Sequence, residues 1–126
     1  MTKPRILVVD DNPANLELML YLLRSFDYDA QGCSDGIAGL NAARTARYAM
    51  VLTDILMPGI DGYEFAREFK SDTALQSTPL IAVTALAMPA DRERIAAAGF
   101  DGYIRKPIEP RTFLTQLQAF FPRAQG

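Results

Sequence analysis

The segment Val51-Leu52-Thr53-Asp54-Ile55-Leu56-Met57-Pro58-Gly59-Ile60-Asp61-Gly62 decides how the rest of the chain is read. Its apolar opening has the pattern of a buried strand, which delivers one carboxylate, Asp54, at its C-terminal end. Pro58-Gly59 and Asp61-Gly62 then force a loop before another helix can begin. In a parallel α/β sheet, ligands bind at the C-terminal ends of the strands. Aspartate also opens turns routinely, so Asp54 acquires meaning only with what the neighbouring strand ends carry.

Outward from this segment the same alternation repeats. On the N-terminal side, Ile6-Leu7-Val8-Val9 is a continuous apolar run that ends in Asp10-Asp11. Asn12-Pro13 supplies an N-cap and a proline at the first helical position. Leu16, Met19, Leu20, Leu23 and Phe26 then recur at helical spacing, which predicts a helix to about Phe26 with a broad apolar face. Residues 28–34 read as a weaker strand, less apolar and nearer a sheet edge. Asp35-Gly36 turns the chain into a helix carrying Ile37, Leu40 and Ala43, and the strand before Asp54 begins at Ala49.

On the C-terminal side, a helix over 63–71 turns Phe65, Ala66 and Phe69 inward and Arg67, Glu68 and Lys70 outward. Leu80-Ile81-Ala82-Val83 is a fourth strand and ends in Thr84. Pro89 opens a short helix that closes at Gly99. Its solvated middle, Asp91-Arg92-Glu93-Arg94, and the small residues at 96–98 make it a weakly anchored element. Residues 101–104 form a short fifth strand before Arg105-Lys106-Pro107. The last helix spans about 110–121 with Phe113, Leu114, Leu117, Phe120 and Phe121 on its apolar side; Pro122 stops it, and 123–126 is a frayed tail. Five strands alternating with five helices predict an α/β fold. The expected form is a doubly wound, five-stranded parallel sheet of order 2-1-3-4-5, a flavodoxin-like (βα)5 architecture, in a single domain over 1–126.

Composition narrows the function. A chain of 126 residues, 49% hydrophobic and 22% charged, fits one globular domain. A net charge of −2 provides no general attraction to nucleic acid or anionic lipid. The apolar runs fall far short of a membrane span, and the N-terminus has no signal-peptide core, so a cytoplasmic location is expected. Cys33 is the only cysteine and there is no histidine. Internal disulfides, cysteine metal clusters, histidine triads and a histidine phosphodonor within this chain are thereby excluded.

The predicted topology sets strands 1, 3, 4 and 5 side by side and brings Asp10-Asp11, Asp54, Thr84 and Lys106 to one rim. Three crowded carboxylates raise each other's pKa unless a cation compensates. Oxygen ligands without His or Cys select a hard divalent ion, Mg²⁺ foremost, with Mn²⁺ able to substitute. Lys106 adds a fixed positive charge and Thr84 a hydroxyl donor. These are the parts for phosphoryl transfer: a carboxylate nucleophile, a metal, a cationic clamp and a hydrogen-bond donor. Each has an ordinary reading too. Asp10-Asp11 equally serves capping and the helix dipole, Thr84 suits a strand, Lys106 suits a surface, and Tyr103 suits a core or rim. Packing alone hardly produces their joint occurrence at four adjacent strand ends.

The motifs resemble those of response-regulator receiver domains over essentially the whole chain: Asp10-Asp11 after ILVV, Asp54 within TDILMPGIDG, Thr84-Ala85 after LIAV, and Tyr103 with Lys106-Pro107. The resemblance implies that Asp54 accepts a phosphoryl group from a histidine on a partner kinase or histidine phosphotransfer protein. It implies Mg²⁺ held by Asp11, Asp54 and the Leu56 backbone carbonyl, with Asp10 binding through water. It further implies that Lys106 pairs with the phosphoryl oxygens, that Thr84 and Tyr103 form the switch, and that the Lys106-Pro107 peptide is cis. A chain of this kind catalyses its own phosphorylation and dephosphorylation but acts chiefly as a signalling switch.

Since the chain has no histidine, the donor lies on another molecule. Asp11, Asn15 and the apolar face of the first helix suggest docking by a helical phosphodonor. The expected output surface is the fourth helix, fifth strand and last helix, where Arg92, Arg94, Tyr103, Arg111 and Thr115 are the exposed candidates. The expected state is a monomer or a weak phosphorylation-dependent dimer, with no direct nucleic-acid or membrane contact. The residues best placed to admit or exclude hydrolytic water are Leu56 and Leu86. Both are bulky and apolar, which predicts slow dephosphorylation. Three readings compete. An FMN carrier needs a phosphate cradle where Asp10-Asp11-Asn12 would repel phosphate. A haloacid-dehalogenase-type phosphatase needs an acid at position 56, which is leucine. The third is a receiver-fold scaffold that is never phosphorylated. The chain equally reads as a stand-alone regulator or as a receiver from a hybrid kinase or multidomain regulator.

Overall fold

Strand and helix alternate without exception along the chain in a computed structural model that describes residues 3–86 and 88–121. The elements are β1 (Arg5–Val9), α1 (Pro13–Ser25), β2 (Asp29–Cys33), α2 (Gly36–Thr45), β3 (Met50–Thr53), α3 (Gly62–Ser71), β4 (Leu80–Thr84), α4 (Pro89–Ala97), β5 (Gly102–Arg105) and α5 (Pro110–Gln118). The strands form one sheet of order β2-β1-β3-β4-β5, every neighbouring pair parallel. This is the flavodoxin-like order that the alternation predicts.

Period-2 side-chain geometry splits each strand between two cores. Leu7, Val9, Val51, Leu80 and Ala82 face one layer, where they pack with Leu40 and Ala43 of α2 and Phe65, Ala66 and Phe69 of α3. Ile6, Val8, Met50, Leu52, Ile81, Val83 and Ile104 face the other, against Met19 and Leu23 of α1 and Phe113, Leu114 and Leu117 of α5. The central strands β1, β3 and β4 are therefore apolar on both faces, as strands covered on both sides must be.

Two helix ends and the placement of the Lys70 side chain depart from the sequence reading. α1 ends at Ser25 because Asp27 adopts φ 67°, a left-handed conformation that Asp tolerates better than most residues. The Tyr28 amide then reaches back to the Leu23 carbonyl, and Phe26 is left 54% exposed, off the apolar face it was assigned. α5 ends at Gln118, and Phe120 continues in turn geometry. There its ring lies against Gly102, where a Cβ would fall 2.3 Å from Phe120 Cε1. Lys70, placed on the outer face of α3, instead folds back so that its Nζ donates to the Gln76 and Thr78 carbonyls and to Asp101 Oδ2. Arg94 on α4 is exposed, but its guanidinium lies over the Tyr63 ring, 4.1 Å from the centroid. α4 buries only Ile95, in keeping with its weak anchoring. Pro122 and the tail at 123–126 lie outside the described residues, and no described helix is long and apolar enough to cross a membrane.

Candidate functional site

Sheet register places the acids. Val9 is paired with Thr53, so the next residue on each strand, Asp10 and Asp54, leaves the sheet at the same level. The Asp54 amide donates to the Val9 carbonyl, which holds that register past the last paired residue. On the other side of β3, Thr53 pairs with Ala82, and further along β4, Thr84 pairs with Arg105. The Lys106 amide donates to the Thr84 carbonyl. Four strand ends thus converge, and the Lys106-Pro107 peptide bond that follows β5 is cis.

The carboxylates of Asp10, Asp11 and Asp54 offer oxygens that all lie within 4.8 Å of one another. Lys106 Nζ donates to Asp54 Oδ2 at 2.8 Å and lies 2.9 Å from Asp10 Oδ2. The Lys106 side chain is 12% exposed and that of Asp10 0%, so the ion pairs are shielded from solvent. Burial pushes the Asp10 carboxyl above its ordinary value of 3.8, against the pull of the Asn12 amide and Lys106. Burial pulls the Lys106 amine down, but its close contacts with the Asp54 and Asp10 carboxylates outweigh this and leave it above 10.5. The amine therefore stays charged through the neutral range.

Capping does not account for the acid pair. Asn12 Oδ1 caps α1 by accepting the Asn15 amide, whereas Asp10 Oδ1 accepts the Asn12 amide at 2.9 Å and shapes the turn. Asp11 is exposed and enters no hydrogen bond or ion pair among the described residues. Asp10 Oδ2 is buried and its contact with the Lys106 amine at 2.9 Å is an ion pair without good hydrogen-bond alignment. Three converging oxygens, one committed to no protein donor and one short of its full complement, suit a hard divalent cation. The donor set fits Mg²⁺.

Asp54 is held from several sides. Its Oδ1 accepts the Ile55 amide at 2.7 Å, with the Leu56 amide at a longer 3.4 Å. Its carbonyl accepts the buried Thr53 hydroxyl at 3.0 Å. The sequence pattern marks Thr53 as a strand residue only; the one signal for more is a hydroxyl inside an otherwise apolar run, one position before the acid. Thr84 is fully buried, and its Oγ1 accepts the Leu86 amide at 3.2 Å. No hydrogen bond joins that hydroxyl to Asp54 or Lys106 among the described residues, so Thr84 is near the rim without engaging it. Tyr103 is half-buried against the α2–α3–α4 core. Leu56 is 60% exposed and Leu86 half-buried. Arg92, Arg111 and Thr115 are exposed.

Known proteins share this frame. Residues 6–118 match the family model for the response regulator receiver domain. The chain is 35% identical over 120 residues to the polar-differentiation response regulator DivK of Brucella ovis, covering 95% of this chain and 97% of that one. It is 39% identical over 111 residues to the sensor histidine kinase GacS of Pseudomonas protegens, covering 86% of this chain but 12% of that protein. Among solved structures, the chemotaxis response regulator CheY4 of Vibrio cholerae superposes with a TM-score of 0.91 at 28% identity, over 95% of this chain and 100% of that one. The receiver domain of the sensor histidine kinase PA1611 from Pseudomonas aeruginosa superposes with a TM-score of 0.86 at 34% identity, over 94% and 98%, and that structure holds a magnesium ion in its active-site cleft. The sheet order, the acid cluster and the family match agree: this chain belongs to the response regulator receiver domain family of two-component signalling.

Proposed function

We propose that the chain is a phosphoacceptor switch in which Asp54 takes a phosphoryl group from a phosphohistidine on a histidine kinase or histidine phosphotransfer protein. The observation that carries this reading is the Lys106 amine 2.8 Å from Asp54 Oδ2 within a cluster of three carboxylates. A carboxylate so placed has a cation ready for the charge that arrives with the phosphoryl group. In the transfer, an Asp54 oxygen forms a bond to phosphorus as the P–N bond of the donor breaks. The electron pair goes to the imidazole nitrogen, which takes up a proton from solvent. Mg²⁺ supplies charge neutralisation for the phosphoryl oxygens when bound, and the residues that would hold it are Asp11, Asp54 and the Leu56 carbonyl, with Asp10 acting through water. Mn²⁺, with the same preference for oxygen ligands, is the competitor to include in a titration.

Thr84 and Tyr103 supply the switch. The Thr84 oxygen accepts the Leu86 amide, which leaves its hydroxyl proton free to donate to a phosphoryl oxygen. Movement of Thr84 toward Asp54 opens space on the side where Tyr103 packs, and α4, with one buried residue, is the element least able to resist. The output face is then α4, β5 and α5, with Arg92, Arg94, Tyr103, Arg111 and Thr115 as contact residues for a downstream protein. The phosphodonor docks on the opposite side, at the start of α1 near Asp11 and Asn15. Leu56 and Leu86 cannot hydrogen-bond a water and slow the loss of the phosphoryl group. Fluorine NMR of the chain with beryllofluoride and Mg²⁺ tests the reading. Bound fluoride resonances in the parent and none in Asp54→Asn support it, whereas absence from both identifies a scaffold that is never phosphorylated.

A further inference from the structure

Among the described residues, Thr53 is the one fully buried hydroxyl that hydrogen-bonds to the proposed nucleophile's own backbone. It ends β3, is fully buried, and its Oγ1 donates to the carbonyl of Asp54 at 3.0 Å. That carbonyl belongs to the same peptide unit as the Ile55 amide, and the Ile55 amide donates to Asp54 Oδ1 at 2.7 Å. One rigid, planar unit is therefore gripped by Thr53 at its oxygen and grips the carboxylate at its nitrogen. Gly62 closes the other side: a Cβ there would lie 2.5 Å from the Asp54 carbonyl oxygen and 2.6 Å from Ile55 Cα. The Gly62 amide donates to the next carbonyl, that of Ile55, at 2.8 Å. Position 62 thus admits no side chain beside this peptide, and among the described residues the Thr53 hydroxyl is the one donor to the Asp54 carbonyl.

We infer that Thr53 is a positioning residue for phosphoryl transfer: by fixing the Asp54–Ile55 peptide plane, its hydroxyl sets the angle at which the Asp54 carboxylate meets phosphorus. Lys106 holds Oδ2 and the Ile55 amide holds Oδ1, so rotation of the carboxylate requires that peptide to turn. Without the hydroxyl the carbonyl is a buried acceptor with no donor, and the peptide gains a reason to rotate. Misalignment of a reacting group by a small angle costs rate more than binding. This inference rests on the phosphoacceptor reading, and its test separates the two.

The test uses the full chain with phosphoramidate as a small-molecule donor in saturating Mg²⁺, and compares Thr53→Val, Thr53→Ser and Thr53→Cys with the parent. Valine keeps the branched shape without the hydroxyl, serine keeps the hydroxyl, and cysteine offers only a weak donor. The expected result is a maximal phosphorylation rate about tenfold lower in Thr53→Val, with the half-saturating donor concentration, and the half-saturating Mg²⁺ concentration from a separate titration, within about twofold of the parent. Thr53→Ser retains at least about half the parent rate, and Thr53→Cys falls toward valine; should valine not fold, the serine–cysteine pair decides. The second readout needs no phosphorylation. The Ile55 amide proton, in its short bond to Oδ1, moves upfield and exchanges faster with solvent in Thr53→Val but not in Thr53→Ser. Equal maximal rates in parent and valine variants, a serine variant as slow as valine, or an unmoved Ile55 amide overturns the role of Thr53. A parent chain that is not labelled at all overturns the phosphoacceptor reading instead, while the amide readout still reports on the clamp.

Discussion

Replacing Lys106 with methionine tests the electrostatics of the site in depth. Methionine keeps the length of the side chain and removes the charge that pairs with both Asp10 and Asp54. Two buried carboxylates with oxygens within 4.8 Å of each other are then left facing one another. At an effective dielectric near 20, their repulsion at that separation is about 3.5 kcal/mol, and removal of one member of a buried ion pair generally costs about 3–5 kcal/mol. Protonation of Asp10 caps the loss, because burial already holds that carboxyl above its ordinary range. The expected destabilisation in EDTA at neutral pH is therefore about 2–4 kcal/mol, or a fall in Tm of about 10 °C for a domain of this size.

The pH dependence has a definite sign. A carboxyl whose folded pKa is raised contributes stability that is fully present below its unfolded pKa and is lost as pH rises through the folded value. Acidification from pH 7 toward the ordinary carboxyl range thus narrows the gap between Lys106→Met and its parent. Excess Mg²⁺ narrows it too, since removal of the competing Lys106 charge tightens Mg²⁺ binding in the variant, and each tenfold gain in affinity adds about 1.4 kcal/mol to its stability at saturating ion. Urea or thermal unfolding at several pH values, with EDTA and with Mg²⁺, is the assay. A variant as stable as its parent in EDTA at pH 7, or one that Mg²⁺ weakens further, refutes the reasoning.

The remaining predictions address one component each. Asp11→Ala leaves stability in EDTA within about 0.5 kcal/mol of the parent, as for an exposed residue without partners, but removes most of the rise in Tm that Mg²⁺ gives the parent; an unchanged rise would place the ion elsewhere. Thr84→Ala is still labelled on Asp54 yet loses the phosphorylation dependence of partner binding, and wild-type dependence in a pull-down would move the coupling off Thr84. Replacing Leu56 with Asn and Leu86 with Glu supplies polar anchors for an attacking water. Decay of labelled protein after donor removal then accelerates about tenfold or more, an effect of roughly 1.4 kcal/mol on the barrier, and equal decay rates would exclude these residues from control of water.

What the sequence makes legible here is what periodicity and strand ends encode. Continuous apolar runs at Ile6–Val9, Val51–Leu52 and Leu80–Val83 have the pattern of strands covered on both faces, and their alternation with helices points to a doubly wound parallel sheet. Once that order is known, Asp10, Asp54 and Lys106 fall at one rim by register alone. Less legible are features set by a single backbone angle or hydrogen bond. Asp27 ends α1 from a left-handed conformation that glycine usually occupies, so the apolar repeat runs on through Phe26 with no visible stop. Lys70 sits where the helical repeat turns charges outward, yet carbonyls from the α3–β4 connection and Asp101, thirty-one residues away, draw it back. Thr53 looks like ordinary strand composition, because nothing in a linear pattern says that its hydroxyl meets the next residue's carbonyl. Thr84 shows the converse: its position at the rim follows from the strand, but its bond to the Leu86 amide depends on the loop that follows.

The central claim is that Asp54 is the phosphoacceptor, and mapping the modified residue tests it most directly. Parent and Asp54→Asn are incubated with phosphoramidate and Mg²⁺, reduced with borohydride, which converts an aspartyl phosphate to homoserine, and the peptides are sequenced by mass spectrometry. The account predicts homoserine at position 54 in the parent and none in Asp54→Asn, with that variant as stable as the parent or more so, since the nearly isosteric change removes one charge from a crowded acidic site. Homoserine at Asp10 or Asp11 in the parent, or acid-labile labelling of Asp54→Asn equal to that of the parent, contradicts it.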